Sequence, residues 1–154
     1  MKELTLPLAM IFFFFFLGCG GGQSRIEKIK EASTIEKSDP FENWENNPGT
    51  GPIEAFALPS TINEDLALKG QKIYEDMCTA CHKAEKRFIG PSPKGILEKR
   101  SPAWVMNMIL NPEEMVQKDP MAKQLLIEFN GSPMANQNLS EEEARAVLEY
   151  FRTL

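Results

Sequence analysis

Cys78-Thr79-Ala80-Cys81-His82 constrains this chain more than any other stretch, because it sets two thiols and the sole histidine side by side. That spacing is the attachment pattern of a c-type haem. Each thiol can close a thioether bond to one vinyl group, and the adjacent imidazole can then ligate the iron. His82 is tethered too closely to the cysteines to serve a distant site. One covalent haem is therefore expected, with its redox chemistry tuned by the surrounding protein.

Two other uses of a Cys-x-x-Cys pair must be weighed against this one. A redox dithiol is expected at a helix N-terminus after a strand, whereas an amphipathic helical pattern over residues 63–77 leads into this motif. A structural zinc needs four protein ligands. Cys19, Cys78, Cys81 and His82 are all the cysteine and histidine the chain has, and Cys19 has another expected fate.

Helix punctuation is legible downstream of residue 61. Asn63 can cap a helix through Leu66, Ala67, Ile73 and Tyr74. Ser101-Pro102 offers a cap and a first-turn proline for a helix through Trp104, Val105, Met108 and Ile109. Asn111-Pro112 stops that helix and predicts a short turn containing Met115. Asp119-Pro120 opens another helix, which Asn130-Gly131 ends, and Ser140 with Glu143 makes a capping box for the last one. No run of strand alternation interrupts these segments. The expected fold class is all-α, with helices packed around one covalently bound haem.

The segment covering residues 62–154 resembles a class I monohaem cytochrome c domain. The resemblance is carried by Gly70 and Tyr74 before the haem motif, Gly90-Pro91 after it, and Met134 ahead of the helix that Ser140 opens. It implies that the first and last helices cross at Gly70, Tyr74, Val147 and Tyr150. It also implies that the Pro91 carbonyl accepts the His82 Nδ1 proton, fixing the ring. In a domain of this size the haem is the centre of the core, so its removal is expected to unfold the domain.

The second axial ligand decides between electron transfer and chemistry at an open iron. Met77, Met106, Met108, Met115, Met121 and Met134 are the candidates within the domain. Met77 abuts the attachment motif, and Met106 and Met108 fall in a predicted helix, where methionine commonly fills core gaps. Met115 and Met121 flank a turn and stay in contention. Met134 lies in the non-helical stretch Gly131-Ser132-Pro133-Met134-Ala135-Asn136, where the resembled family carries its axial methionine. Met134 is the expected ligand. Arg100 and Trp104 are candidates to bond a haem propionate; a solvated arginine and a core tryptophan are the alternatives.

Ahead of the domain the chain changes character twice. Residues 4–17 form an uncharged apolar run with five consecutive phenylalanines, shorter than the about 20 residues of a membrane-spanning helix. Residues 1–18 fit an export signal. Phe16-Leu17-Gly18-Cys19-Gly20 resembles a bacterial lipoprotein box, which implies Cys19 as the lipidated first residue; a cut elsewhere or an uncleaved anchor are the alternatives. If haem takes Cys78 and Cys81, Cys19 has no disulfide partner. Residues 19–61 are rich in Gly, Ser, Asn, Pro and charge and read as a flexible tether, with only residues 53–60 expected to dock.

The net charge of −5 argues against nucleic-acid binding. Between His82 and Arg100, six basic residues (Lys83, Lys86, Arg87, Lys94, Lys99 and Arg100) accompany Glu85 and Glu98. That zone either steers an acidic partner or is an ordinary solvated surface. The expected protein is a periplasm-facing, lipid-anchored monohaem carrier that passes single electrons between respiratory donor and acceptor proteins. Gly131 to Leu139 resembles small cytochromes associated with bacterial nitrous-oxide reductases, which implies that reductase as partner. The rivals are a haem sensor, a peroxidase-type domain and a fixed subunit of a terminal oxidase.

Overall fold

Four of the five α-helices start where a side chain satisfies an orphan backbone N–H. The computed structural model describes Asp39 and residues 41–154, all within the compact unit Ser38–Leu154. Helix α1 spans Glu64–Met77, and Asn63 Oδ1 accepts the Leu66 N–H at 3.0 Å. Helix α2, Pro102–Leu110, is capped by Ser101, whose Oγ accepts the Trp104 N–H at 3.1 Å. Helix α3 is Pro112–Lys118, and α4 is Pro120–Glu128 with Asp119 accepting the Ala122 N–H. Helix α5, Glu141–Phe151, carries the full Ser140–Glu143 capping box. No strand is present among the described residues. The described residues form an all-α fold.

One local expectation changes. Asn111-Pro112 begins a helix of seven residues, not a short turn. Proline at the first helical position costs no hydrogen bond, so the same residue that ends α2 can open α3.

Helices α1 and α5 cross at Gly70. A Cβ built on Gly70 would lie 1.9 Å from the Ala146 carbonyl oxygen, so only glycine permits this approach. Tyr74 closes the same contact, with its ring 5.4 Å from Tyr150 and edge-on to Phe151 at 5.8 Å. Behind the crossing, α2 to α5 share one core built on Trp104, Met115, Met121, Val147 and Leu148.

The expected tether needs correction at its C-terminal part. Docking is not confined to residues 53–60; the chain is packed from Phe41 onward as an irregular strap. Phe41, Trp44, Ile53, Phe56 and Leu58 lie against the core. The strap holds because its backbone finds partners. Asn107, wholly buried, donates to the Pro48 and Ile53 carbonyls at 2.9 and 2.8 Å and accepts the Ile53 N–H at 3.0 Å. Composition alone misreads such a segment, since its stability comes from side chains elsewhere in the chain. Residues 1–38 and 40, and with them the expected export signal and the expected lipidation at Cys19, lie outside the described residues.

Candidate functional site

The haem motif sits where α1 runs out. The Cys78 N–H still bonds to the Tyr74 carbonyl at 2.9 Å, and the Cys78 carbonyl then accepts the His82 N–H at 2.9 Å. This turn presents both sulfurs and the imidazole together. A loop packs the ring from the other side. The Gly90 N–H reaches the Cys81 carbonyl at 2.8 Å, and a Cβ on Gly90 would come within 2.4 Å of His82 Cε1. His82 Nδ1 lies 2.8 Å from the Pro91 oxygen. A carbonyl has no proton to give, so Nδ1 donates and Nε2 is left as the ligating nitrogen.

Cys78, Cys81 and His82 open onto a cavity of about 210 Å³. Its walls are apolar, with Ile96, Val105, Ile109, Leu125 and Phe129 among them, and Met134 stands on the same cavity. Among the described residues that line it, none but His82 carries an ionisable acid or base of the Asp, Glu, His, Lys or Arg kind. Of the methionine candidates, only Met77, Met108 and Met134 line this cavity. Met115 and Met121 are fully buried beneath the strap, where their sulfurs accept the Thr50 N–H and an Asn47 N–H.

These residues fit a covalent haem. The donor set is two thiols and a pre-oriented imidazole on an apolar cavity, which is what the macrocycle needs. Burial, then the neighbouring Cys81, pushes the Cys78 thiol up to about 11. A redox dithiol requires the opposite shift. The Tyr74 hydroxyl, buried on the cavity wall with no protein partner, is pushed up to about 12, first by burial and then by Cys78 and Tyr150. Among the described residues, no group of three or more His, Cys, Asp and Glu is arranged for a metal ion.

Trp104 and Arg100 take up positions that the sequence did not disclose. Trp104 lines the cavity, yet its indole N–H is given to Asp119 Oδ1 at 2.9 Å. Arg100 is buried off the cavity wall, with its guanidinium 5.1 Å from the Trp104 ring and 5.2 Å from Phe41. One terminal nitrogen donates to the Lys99 carbonyl, and Nε has no partner. Burial lowers the Arg100 pKa against the opposing fields of Asp119 and Glu128. Asp119 was legible only as a helix cap; its bond to Trp104 spans a sequence separation that no motif marks.

The fold and site define a c-type haem protein with one covalently bound haem. Residues 67–154 match the cytochrome c family model, and the chain belongs to that family. It is similar to cytochrome c from Rhodothermus marinus, at 43% identity over 67% of this chain and 88% of that one, with a TM-score of 0.64. An engineered form of the Rhodothermus marinus protein matches at 40% identity over 75% and 96% of the two chains, with a TM-score of 0.66. The cytochrome c domain of a Pseudomonas putida protein is more distant, at 28% identity over 55% and 85%, with a TM-score of 0.51. No curated protein matches significantly. Membership implies electron transfer as the general role.

Proposed function

We propose that this protein is an exported, membrane-tethered electron carrier that receives single electrons from a respiratory donor and passes them to an acceptor. The observation carrying the proposal is that His82 and Met134 line one apolar cavity without a charged side chain among its described lining residues. The bound haem supplies the ferrous–ferric couple. His82, its ring oriented by the Pro91 carbonyl, would hold the iron through Nε2. Met134 would be the second residue to hold the iron, and its thioether would favour the ferrous state and close that face to small ligands. Peroxide chemistry would call for an acid or base beside the open face, and the lining residues supply none.

The apolar run of residues 4–17, and Cys19 left over once haem takes Cys78 and Cys81, support export and a lipid anchor. The likeness of Gly131 to Leu139 to small cytochromes of nitrous-oxide reduction makes nitrous-oxide reductase the acceptor to test first. Lys94 pairs with Glu85 and Arg87 with Glu128, and Arg100 is buried, so steering by the basic zone is weaker than its charge count implies.

The test is the absorption spectrum of the oxidised protein beside Met134→Ala. The expected result is a weak near-infrared thioether-to-iron band that the variant loses. A wild-type protein that lacks the band and binds carbon monoxide readily when reduced would overturn the carrier in favour of a sensor or peroxidase. Mass spectrometry of the mature N-terminus tests the anchor, and an unmodified Cys19 would remove it.

A further inference from the structure

Asp119 ties together three parts of the molecule. Its Oδ1 accepts the Trp104 indole N–H at 2.9 Å and the Ala122 backbone N–H at 2.8 Å, and its Oδ2 accepts an Asn47 side-chain N–H at 2.8 Å. Asp119 is 4% exposed and Trp104 is 2% exposed, so water does not compete for these bonds. Asn47 is itself held on the strap. Its Oδ1 accepts the Gly49 N–H at 2.8 Å, and its carbonyl accepts the Ser101 hydroxyl at 2.5 Å.

Capping α4 explains only the Ala122 bond. Neither an indole nor an amide from 72 residues upstream is needed for that task. Trp104 meets the haem cavity and Asp119 at once, so whatever fixes the indole also fixes part of the haem wall.

We propose that Asp119 is a positioning residue of the haem site, holding Trp104 against the cavity and setting a buried negative charge behind that wall, with Asn47 joining the strap to the same carboxylate. The strap thereby belongs to the site that sets the redox potential. A buried negative charge near the haem favours ferric iron, and each hydrogen bond donated to the carboxylate spreads that charge. Arg100, on the Trp104 ring, opposes it from the same cluster. The inference rests on the covalent haem and Trp104, and is independent of which donor or acceptor the protein serves.

The experiment compares midpoint potentials of the haem-loaded full chain and three variants, together with exchange of the Trp104 indole proton by NMR. Asp119→Asn keeps the size and the cap but removes the charge; its potential is expected to shift upward. Asn47→Ala leaves the charge with one donor fewer; its potential should shift downward, with faster exchange at the indole. The pair Asn47→Asp with Asp119→Asn moves the charge to the strap and restores the contact. It should regain wild-type thermal stability and keep part of the upward shift, so it also serves if Asp119→Asn alone fails to fold. A loosened core would admit water and lower the potential in every variant. That common downward movement, or no movement at all, would overturn the proposal.

Discussion

The α1–α5 crossing and the strap solve the same packing problem by opposite means. At the crossing, both partners are helices whose backbone groups are satisfied internally, so contact needs only small residues and shape. Gly70 meets the Ala146 carbonyl, and Tyr74, Tyr150 and Phe151 fill the remaining space. The strap is irregular from residue 47 to residue 61, so its N–H and C=O groups need partners from outside. Polar side chains supply them: buried Asn107 for Pro48 and Ile53, buried Ser101 for the Asn47 carbonyl, and half-buried Arg152 for Pro59 at 2.6 Å. An apolar core suffices where the backbone is regular; where it is not, the core must carry hydrogen-bonding side chains.

The largest test of the contrast is removal of the haem bonds. Replacing Cys78 and Cys81 by serine is expected to abolish cooperative thermal unfolding followed by circular dichroism, since both regions then lose the body that fills the cavity. A sharp transition with native helix content would show that the strap-side core folds alone.

Next comes Glu149, wholly buried where the two regions meet. It accepts the Asn63 N–H at 2.7 Å and faces Arg145 and Arg152, while Arg152 also grips the strap. Burial alone would raise its pKa, but the Asn63 N–H and the two guanidinium groups outweigh it and hold the carboxyl below the usual range. A depressed folded-state pKa stabilises above the unfolded value and loses that contribution as pH falls through the folded value. Glu149→Gln should cost about 3 kcal/mol at neutral pH by denaturant titration. It should also flatten the loss of stability on acidification below the ordinary glutamate range. An unchanged acid profile would move the acid-sensitive pair elsewhere.

Asn107→Ala separates the regions more finely. Loss of three strap bonds is expected to cost about 2 kcal/mol. Hydrogen exchange should rise at residues 48–53 while the haem spectrum stays as in wild type. Equal loosening of α1 and α5 would mean that the strap and the crossing are one cooperative unit. The smallest effect belongs to Ser140→Ala, which removes one side of a capping box at an exposed helix start. About 1 kcal/mol is expected from the thermal midpoint, with exchange at the strap unaltered.

The caps show why part of this structure was readable. Asn63, Ser101, Asp119 and Ser140 each act on a backbone group three residues ahead, and that short range is printed in the order of residues. The haem motif is equally local. Its thiols and imidazole are chain neighbours, so chemistry could be inferred before any packing was known. The strap was less readable because Asn47, Pro48, Gly49 and Thr50 look like linker residues until Asp119, Asn107 and Met115 stand opposite them.

The sequence by itself determined four of the five α-helices, the covalent cofactor and the histidine expected to ligate its iron, because each depends on residues within a few positions of one another. Tertiary structure alone decided that residues 41–61 belong to the domain and that Met115 and Met121 lie under the strap. It also decided that the Trp104 indole points its proton at Asp119. Those outcomes turn on contacts between residues 15 to 93 positions apart. Each contact is chosen by which buried donor finds an acceptor once the helices have packed, and no local pattern encodes that choice.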